Sequence, residues 1–148
     1  MGKAFIVEWM KCLAGFEKEI LKLEYHSEDI ELLDHIFKGV HSLKHGSSFL
    51  GLSGITRLSN EMEITLDAIK NRKVTVSTEL IDSLLLSGDF LNTEAKRLNG
   101  ILMEHHLENQ NDVMYIEFEC NQKEEQVLNA LNLSCKNSEV NENEANMN

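Results

Sequence analysis

The chain has 148 residues, of which 42% are hydrophobic and 26% charged, which is enough to bury one core and too apolar for a disordered protein. Its net charge of −11 excludes a basic nucleic-acid-binding surface and docking on anionic lipid. No apolar run approaches the ~18 residues of a membrane span, and the absence of proline with only 8 glycines disfavours an all-β fold and favours long helices.

From Lys3 to Glu24, Phe5, Trp9, Leu13, Phe16, Ile20 and Leu23 recur at steps of three and four, which predicts an amphipathic helix with Trp9 and Phe16 in the core. Ser27 is placed to cap a second helix, with Glu28, Asp29 and Glu31 in the turn where the helix dipole favours anions. Ile30, Leu33, Phe37, Val40 and Leu43 or Lys44 carry that helix to the Gly46–Ser48 region. A break is expected over Gly51–Gly54, with Ser53 as the next cap. Ile55, Leu58, Met62, Leu66 and Ile69 then mark a third helix ending near Asn71. Val74-Thr-Val reads as a short extended linker. Ser77 or Thr78 caps a long fourth helix in which Leu84, Leu91, Leu98 and His105 fall seven apart. Helices of this length predict neighbours in an antiparallel bundle.

Beyond residue 107 the pattern weakens. Residues 108–112 read as a polar loop, and Tyr115–Cys120 fits helix extension and irregular structure equally well. Asn121 with Glu124 resembles a capping box, and Val127, Leu128 and Leu131 predict a short final helix within a 108–133 segment. Residues 134–148, rich in Asn and Glu, are expected to be a disordered acidic tail. The acidic N-terminus has no small-residue cleavage site and does not read as a signal peptide. Cys12, Cys120 and Cys135, with no C-x-x-C, fit reduced thiols and a cytoplasmic setting.

One stretch departs from plain bundle sequence: His41-Ser-Leu-Lys44-His45-Gly46-Ser47-Ser48-Phe-Leu-Gly51. Gly46, Ser47 and Ser48 are poor helix formers, and small residues let another group come close to the helix surface. His41 and Lys44, three apart, share a face. An imidazole beside an ammonium on such a surface suits an anion carried on nitrogen.

These residues resemble the histidine-containing phosphotransfer (HPt) family, in which a His is followed by a Lys at three positions, small residues, and a Gly at ten. The chain is most similar to the N-terminal phosphotransfer domain of chemotaxis histidine kinases, where His-Ser-Ile-Lys stands at the place of His41-Ser-Leu-Lys44. That subfamily also has a Glu 22 residues after the His, matched here by Glu63. The resemblance spans about residues 5–107 and implies an all-α, antiparallel four-helix bundle with a short extra C-terminal helix. It also implies that His41 accepts a phosphoryl group from a histidine kinase and passes it to an Asp of a response-regulator receiver domain. Lys44 would supply charge near the phosphoryl oxygens. Glu63 would fix the imidazole tautomer and make the free nitrogen more basic. No cofactor of its own is implied, and Mg2+ would come from the partner. No autonomous activity is implied either, kinase activity belonging to a larger histidine kinase of which the chain would be the phosphoacceptor fragment. The sequence departs from the family at His45, where many members have Gly, and at Asn60, where chemotaxis kinases often carry a His.

Two other readings have residues behind them. His41 and His45 with Glu63 form a partial metal-ligand set, but one more ligand is needed and Lys44 opposes a cation. A degenerate bundle acting only as a binding module is a further alternative, against which the joint presence of His41, Lys44 and Glu63 speaks. His105-His106 reads as a favourable pair at a helix C-terminus, and no phosphate-cradling glycine loop is present.

Overall fold

The apolar stripes become six helices in the computed structural model, which describes residues 2–105 and 121–140. They are α1 (Gly2–Ala14), α2 (Phe16–Tyr25), α3 (Ile30–Phe49), α4 (Ser53–Lys70), α5 (Thr78–His105) and α6 (Asn121–Asn137). Helices α1 and α2 are the first predicted helix divided at Gly15. Together with α3, α4 and α5 they form the expected antiparallel four-helix bundle, and α6 is the extra C-terminal helix.

The expected stripes are the ones buried. Trp9, Phe16, Ile20 and Leu23 from α1 and α2 meet Leu33, Ile36, Val40 and Leu43 of α3, Ile55, Leu58, Met62, Leu66 and Ile69 of α4, and Leu84, Leu91 and Leu98 of α5. Phe16 seats its ring on Gly88 of α5, where a β-carbon would collide with it. That seat places α2 against α5 directly after the Gly15 break.

Helix α4 packs mainly on α3 and α6, and α5 mainly on α1, α2 and α6; α4 and α5 touch each other little. The C-terminal helix is thus wedged between two bundle helices. Val127, Leu128 and Leu131 enter the core. The buried Glu124 carboxylate lies against Gly54 in the first turn of α4, where any side chain would clash with it and where the helix dipole favours an anion. Arg57 of α4 and Glu125 of α6 pair at 2.7 Å.

The caps differ from the sequence reading in two places. Helix α3 is capped by Asp29, whose carboxylate accepts from Leu32 N–H at 3.1 Å, and Ser27 lies outside the helix. Both are capping residue types, and the turn in which Asp29 N–H donates to the His26 carbonyl decides between them. At α4 the N-cap is Leu52, with Ser53 the first helical residue. Ser77 caps α5 as expected, accepting from Leu80 N–H at 3.1 Å.

The expected disordered tail begins too early. Ser134 and Ser138 are buried; the Ser134 hydroxyl bonds that of Ser83, and the Ser138 hydroxyl bonds that of Ser77 at 2.7 Å. Thr75 N–H donates to the Ser138 carbonyl and Val140 N–H to the Lys73 carbonyl, so the Val74 linker pairs with residues 138–140. Hydroxyl pairing, invisible to hydrophobic periodicity, carries the order to Val140. The segment 106–120, including His106 and the Tyr115–Cys120 stretch, and residues 141–148 lie outside the described residues.

The α3–α4 turn fixes the site described below. Gly51 has φ 78°. Its N–H donates to the Ser48 carbonyl and Leu52 N–H to the Ser47 carbonyl, the paired bonds of a Schellman helix end. A β-carbon in that conformation is strained. Gly51→Ala should therefore lower unfolding free energy by about 1 kcal/mol, read as a shift in urea midpoint at constant m. Ending the chain after Leu133 should lower the melting temperature by several degrees, because it removes the Ser134 and Ser138 hydroxyls from their buried partners; an unchanged melting curve would count against the docked C-terminus.

Candidate functional site

On α3, His41, Lys44 and His45 stand at i, i+3 and i+4; on α4, Asn60 and Glu63 stand at i and i+3. The tight turn at Gly51 brings the two helices side by side, and their polar residues meet at the seam. Glu63 Oε1 lies 2.6 Å from His41 Nδ1, and Lys44 Nζ donates to Glu63 Oε2 at 2.7 Å and to Asn60 Oδ1 at 3.4 Å. The Glu63 side chain is only 9% exposed, that of Lys44 25% and that of His41 47%. A buried carboxylate thus has both oxygens engaged, one by a ring nitrogen and one by an ammonium, as a desolvated charge requires.

The His41 tautomer follows from this contact. An ionised carboxylate can only accept, so the neutral ring carries its proton on Nδ1 and donates it to Glu63. The lone pair is left on Nε2, the nitrogen away from Glu63. Phe37, one turn before His41, stacks on the ring at 5.9 Å between centroids and 13° between planes. In the sequence Phe37 belongs to the apolar stripe, and its i, i+4 relation to His41 is the signal for this contact.

The small-residue run serves the interior more than the surface. A β-carbon on Gly46 would collide with the Phe5 ring, so Gly46 is the place where α1 closes on α3. Ser47 is fully buried, and its hydroxyl pairs with that of Thr56 at 2.8 Å, pinning α3 to α4 one turn from the site. Of the three small residues Ser48 alone is exposed, next to an exposed Phe49. Lys44, expected near transferred phosphoryl oxygens, is turned to the Nδ1 side of His41, where it holds Glu63 and Asn60. His45, which replaces the usual glycine, stands with its Nε2 3.0 Å from His41 Nε2.

Among the described residues no three His, Cys, Asp or Glu side chains converge as a metal site would need. Burial raises the thiol pKa of Cys12, and Glu8 adds to this; burial also raises that of Cys135, partly opposed by a hydrogen bond with Thr65. Neither is a ready thiolate nucleophile. Cys120 lies outside the described residues.

The family model described as the Hpt domain matches residues 1–112. A sensor histidine kinase, CheAY, of Helicobacter pylori is 30% identical over 89 residues, which are 60% of this chain and 11% of that protein. The chemotaxis protein CheA of Klebsiella aerogenes is 30% identical over 92 residues, 62% of this chain and 14% of that one. The chain therefore spans only a small fraction of the relatives it matches. Among solved structures, the phosphorylated P1 domain of CheA3 from R. sphaeroides, in complex with CheY6, superposes with a TM-score of 0.69 at 17% identity, covering 91% of this chain and 94% of that one. This likeness establishes the shared fold.

Glu63→Gln tests the source of the tautomer. The glutamine amide can present either oxygen or N–H to Nδ1, so it no longer selects one form. Nitrogen-15 spectra of the His41 ring should show a single Nδ1–H tautomer in the wild type and a mixture in the variant. A single unchanged tautomer in both would show that Glu63 does not set it.

Proposed function

The chain belongs to the Hpt domain family, and from that premise we propose that it is a phosphorelay carrier that accepts a phosphoryl group on His41 and passes it to a receiver-domain aspartate. The observation that carries this reading is the 2.6 Å contact between Glu63 Oε1 and His41 Nδ1. It leaves an exposed imidazole with its lone pair on Nε2, the form of histidine that attacks phosphorus.

The step balances without any base. The Nε2 lone pair forms the N–P bond while the donor's P–O bond breaks, and the leaving oxygen keeps that electron pair. Positive charge developing on the ring is met by Glu63, which shares the Nδ1 proton. In the onward transfer an aspartate oxygen attacks phosphorus, the N–P bond breaks, and its electron pair returns to Nε2. Glu63 holds the ring in one orientation throughout; Lys44 holds Glu63 and is itself bonded to Asn60. The carboxylate at the site is committed to His41 and Lys44, so we assign the Mg2+ needed in phosphoryl transfer to the partner.

The partners follow from the same reading. The relative named a sensor histidine kinase supports a histidine kinase as donor, in the same polypeptide or a separate one. The structural neighbour, phosphorylated and bound to CheY6, supports a response regulator as acceptor. We place the exchange in the cytoplasm, where unpaired thiols such as Cys12 and Cys135 stay reduced.

Incubating the protein with a histidine kinase and labelled ATP should give acid-labile, base-stable label that chases onto a receiver domain. His41→Gln should abolish the label and leave helicity unchanged, since the side chain is half exposed. Label at the wild-type level in His41→Gln would move the site elsewhere, and no label in the wild type would favour a bundle that serves only as a binding module.

A further inference from the structure

The nitrogen that would attack phosphorus is not free in this structure. His45 Nε2 lies 3.0 Å from His41 Nε2, with ring centroids 4.4 Å apart and planes at 75°. The protons decide the direction of that bond. His41 Nδ1–H donates to Glu63, so neutral His41 can only accept at Nε2. His45 must then be the Nε2–H tautomer, and it donates. Lys44, Glu63, His41 and His45 form one hydrogen-bonded row over α3 and α4, in which His45 donates to His41 and both His41 and Lys44 donate to Glu63. Its last member engages the lone pair on which the transfer depends.

We propose that His45 is a catalytic residue that caps the reactive Nε2 of His41 at rest and hands its N–H to the incoming phosphoryl group. The handover rests on His41 being the phosphoryl carrier. As the N–P bond forms, the lone pair on His41 Nε2 is used. His45 Nε2–H then loses its nitrogen acceptor and gains a non-bridging phosphoryl oxygen at the same place. No proton leaves either ring: the donor's P–O bond breaks, the N–P bond forms, and one hydrogen bond changes its acceptor. A glycine at this position can do neither, since it has no donor to offer. The T-shaped ring contact also fixes His45 on the exposed side of His41, so a donor or receiver must approach past a second imidazole. The cap slows reaction with reagents that offer no acceptor for the N–H, and it does not slow phosphoryl donors in the same proportion.

Two measurements that use no phosphoryl donor test the cap. In protein labelled with nitrogen-15 at histidine, an N–H···N hydrogen bond produces a through-bond coupling between the two Nε2 nuclei. That coupling should appear in the wild type and vanish in His45→Phe. Iodomethane at limiting concentration, an alkylating reagent with no oxygen to accept the N–H, reports the availability of the His41 lone pair, read as methylation of the His41 peptide by mass spectrometry. Labelling of His41 should rise about two- to tenfold in both His45→Ala and His45→Phe, the range that losing one ordinary hydrogen bond allows. An unchanged rate in His45→Ala, or a gain in Ala that is absent in Phe, would overturn the cap, the second because ring bulk alone would then explain it. Failure here leaves the carrier reading of His41 standing. Conversely, an intact coupling in a protein whose His41 takes no label from a kinase would leave the contact and overturn the handover.

Discussion

A buried carboxylate between two helices governs this structure. Glu63 is placed where water cannot solvate it, and an unpaired charge in such a position costs several kcal/mol. Its two oxygens are met from α3, by His41 on one and Lys44 on the other. This pairing works in one register of α3 against α4. Slipping α3 by one turn would bring either Phe37 and Val40 or His45 and Ser48 to the places of His41 and Lys44, and the ammonium would be lost in both cases. The Schellman end at Gly51 and the Ser47–Thr56 hydroxyl pair hold that register from the turn side. The geometry of the imidazole is thus a by-product of satisfying a charge: the ring is oriented because the carboxylate beneath it must be paired.

The remainder of the fold braces α4 in this position. Helix α3 covers one flank and α6 another, with Glu124 against Gly54 and Arg57 paired to Glu125. At the far end of α4, residues 138–140 pair with the linker that leaves the helix. Helix α1 closes on α3 through Phe5 and Gly46, directly beside His45 in the chain. Two further helices, α1 and α6, therefore fix the two that carry the site.

Much of this is written in the sequence, and the reasons for the rest are physical. Burial of Leu58, Met62 and Leu66 follows from helical spacing because one period describes both the pattern and the stripe. Glu63 was legible as a partner of His41 through the resemblance to the phosphotransfer family, in which a Glu stands 22 residues after the His. The break at Gly15 was not, since the apolar steps run across it without a phase change. The choice of Asp29 over Ser27 as a cap depends on the preceding turn, which composition does not specify. The order of Ser134 and Ser138 rests on hydroxyls bonding hydroxyls, and serine in a polar stretch looks the same whether paired or solvated. The small residues after His45 read as an open surface, yet Gly46 receives Phe5 and Ser47 is buried. A helix with small side chains shows that something comes close, and only the packed fold shows what.

The pairing of Lys44 with Glu63 has an energetic consequence. The two charges cancel, so at rest Lys44 offers His41 no uncompensated charge, and the protein as a whole carries −11. A phosphoryl group on His41 would bring a further charge of about −2 into this acidic field. Such a field repels the bound dianion and gives the N–P bond a high transfer potential, holding the group less firmly than a cationic pocket would. A domain built to keep phosphate would surround the ring with free lysines and arginines. Here Lys44 is neutralised by Glu63, so on the carrier reading proposed above a phosphoryl group would be held loosely enough to move on.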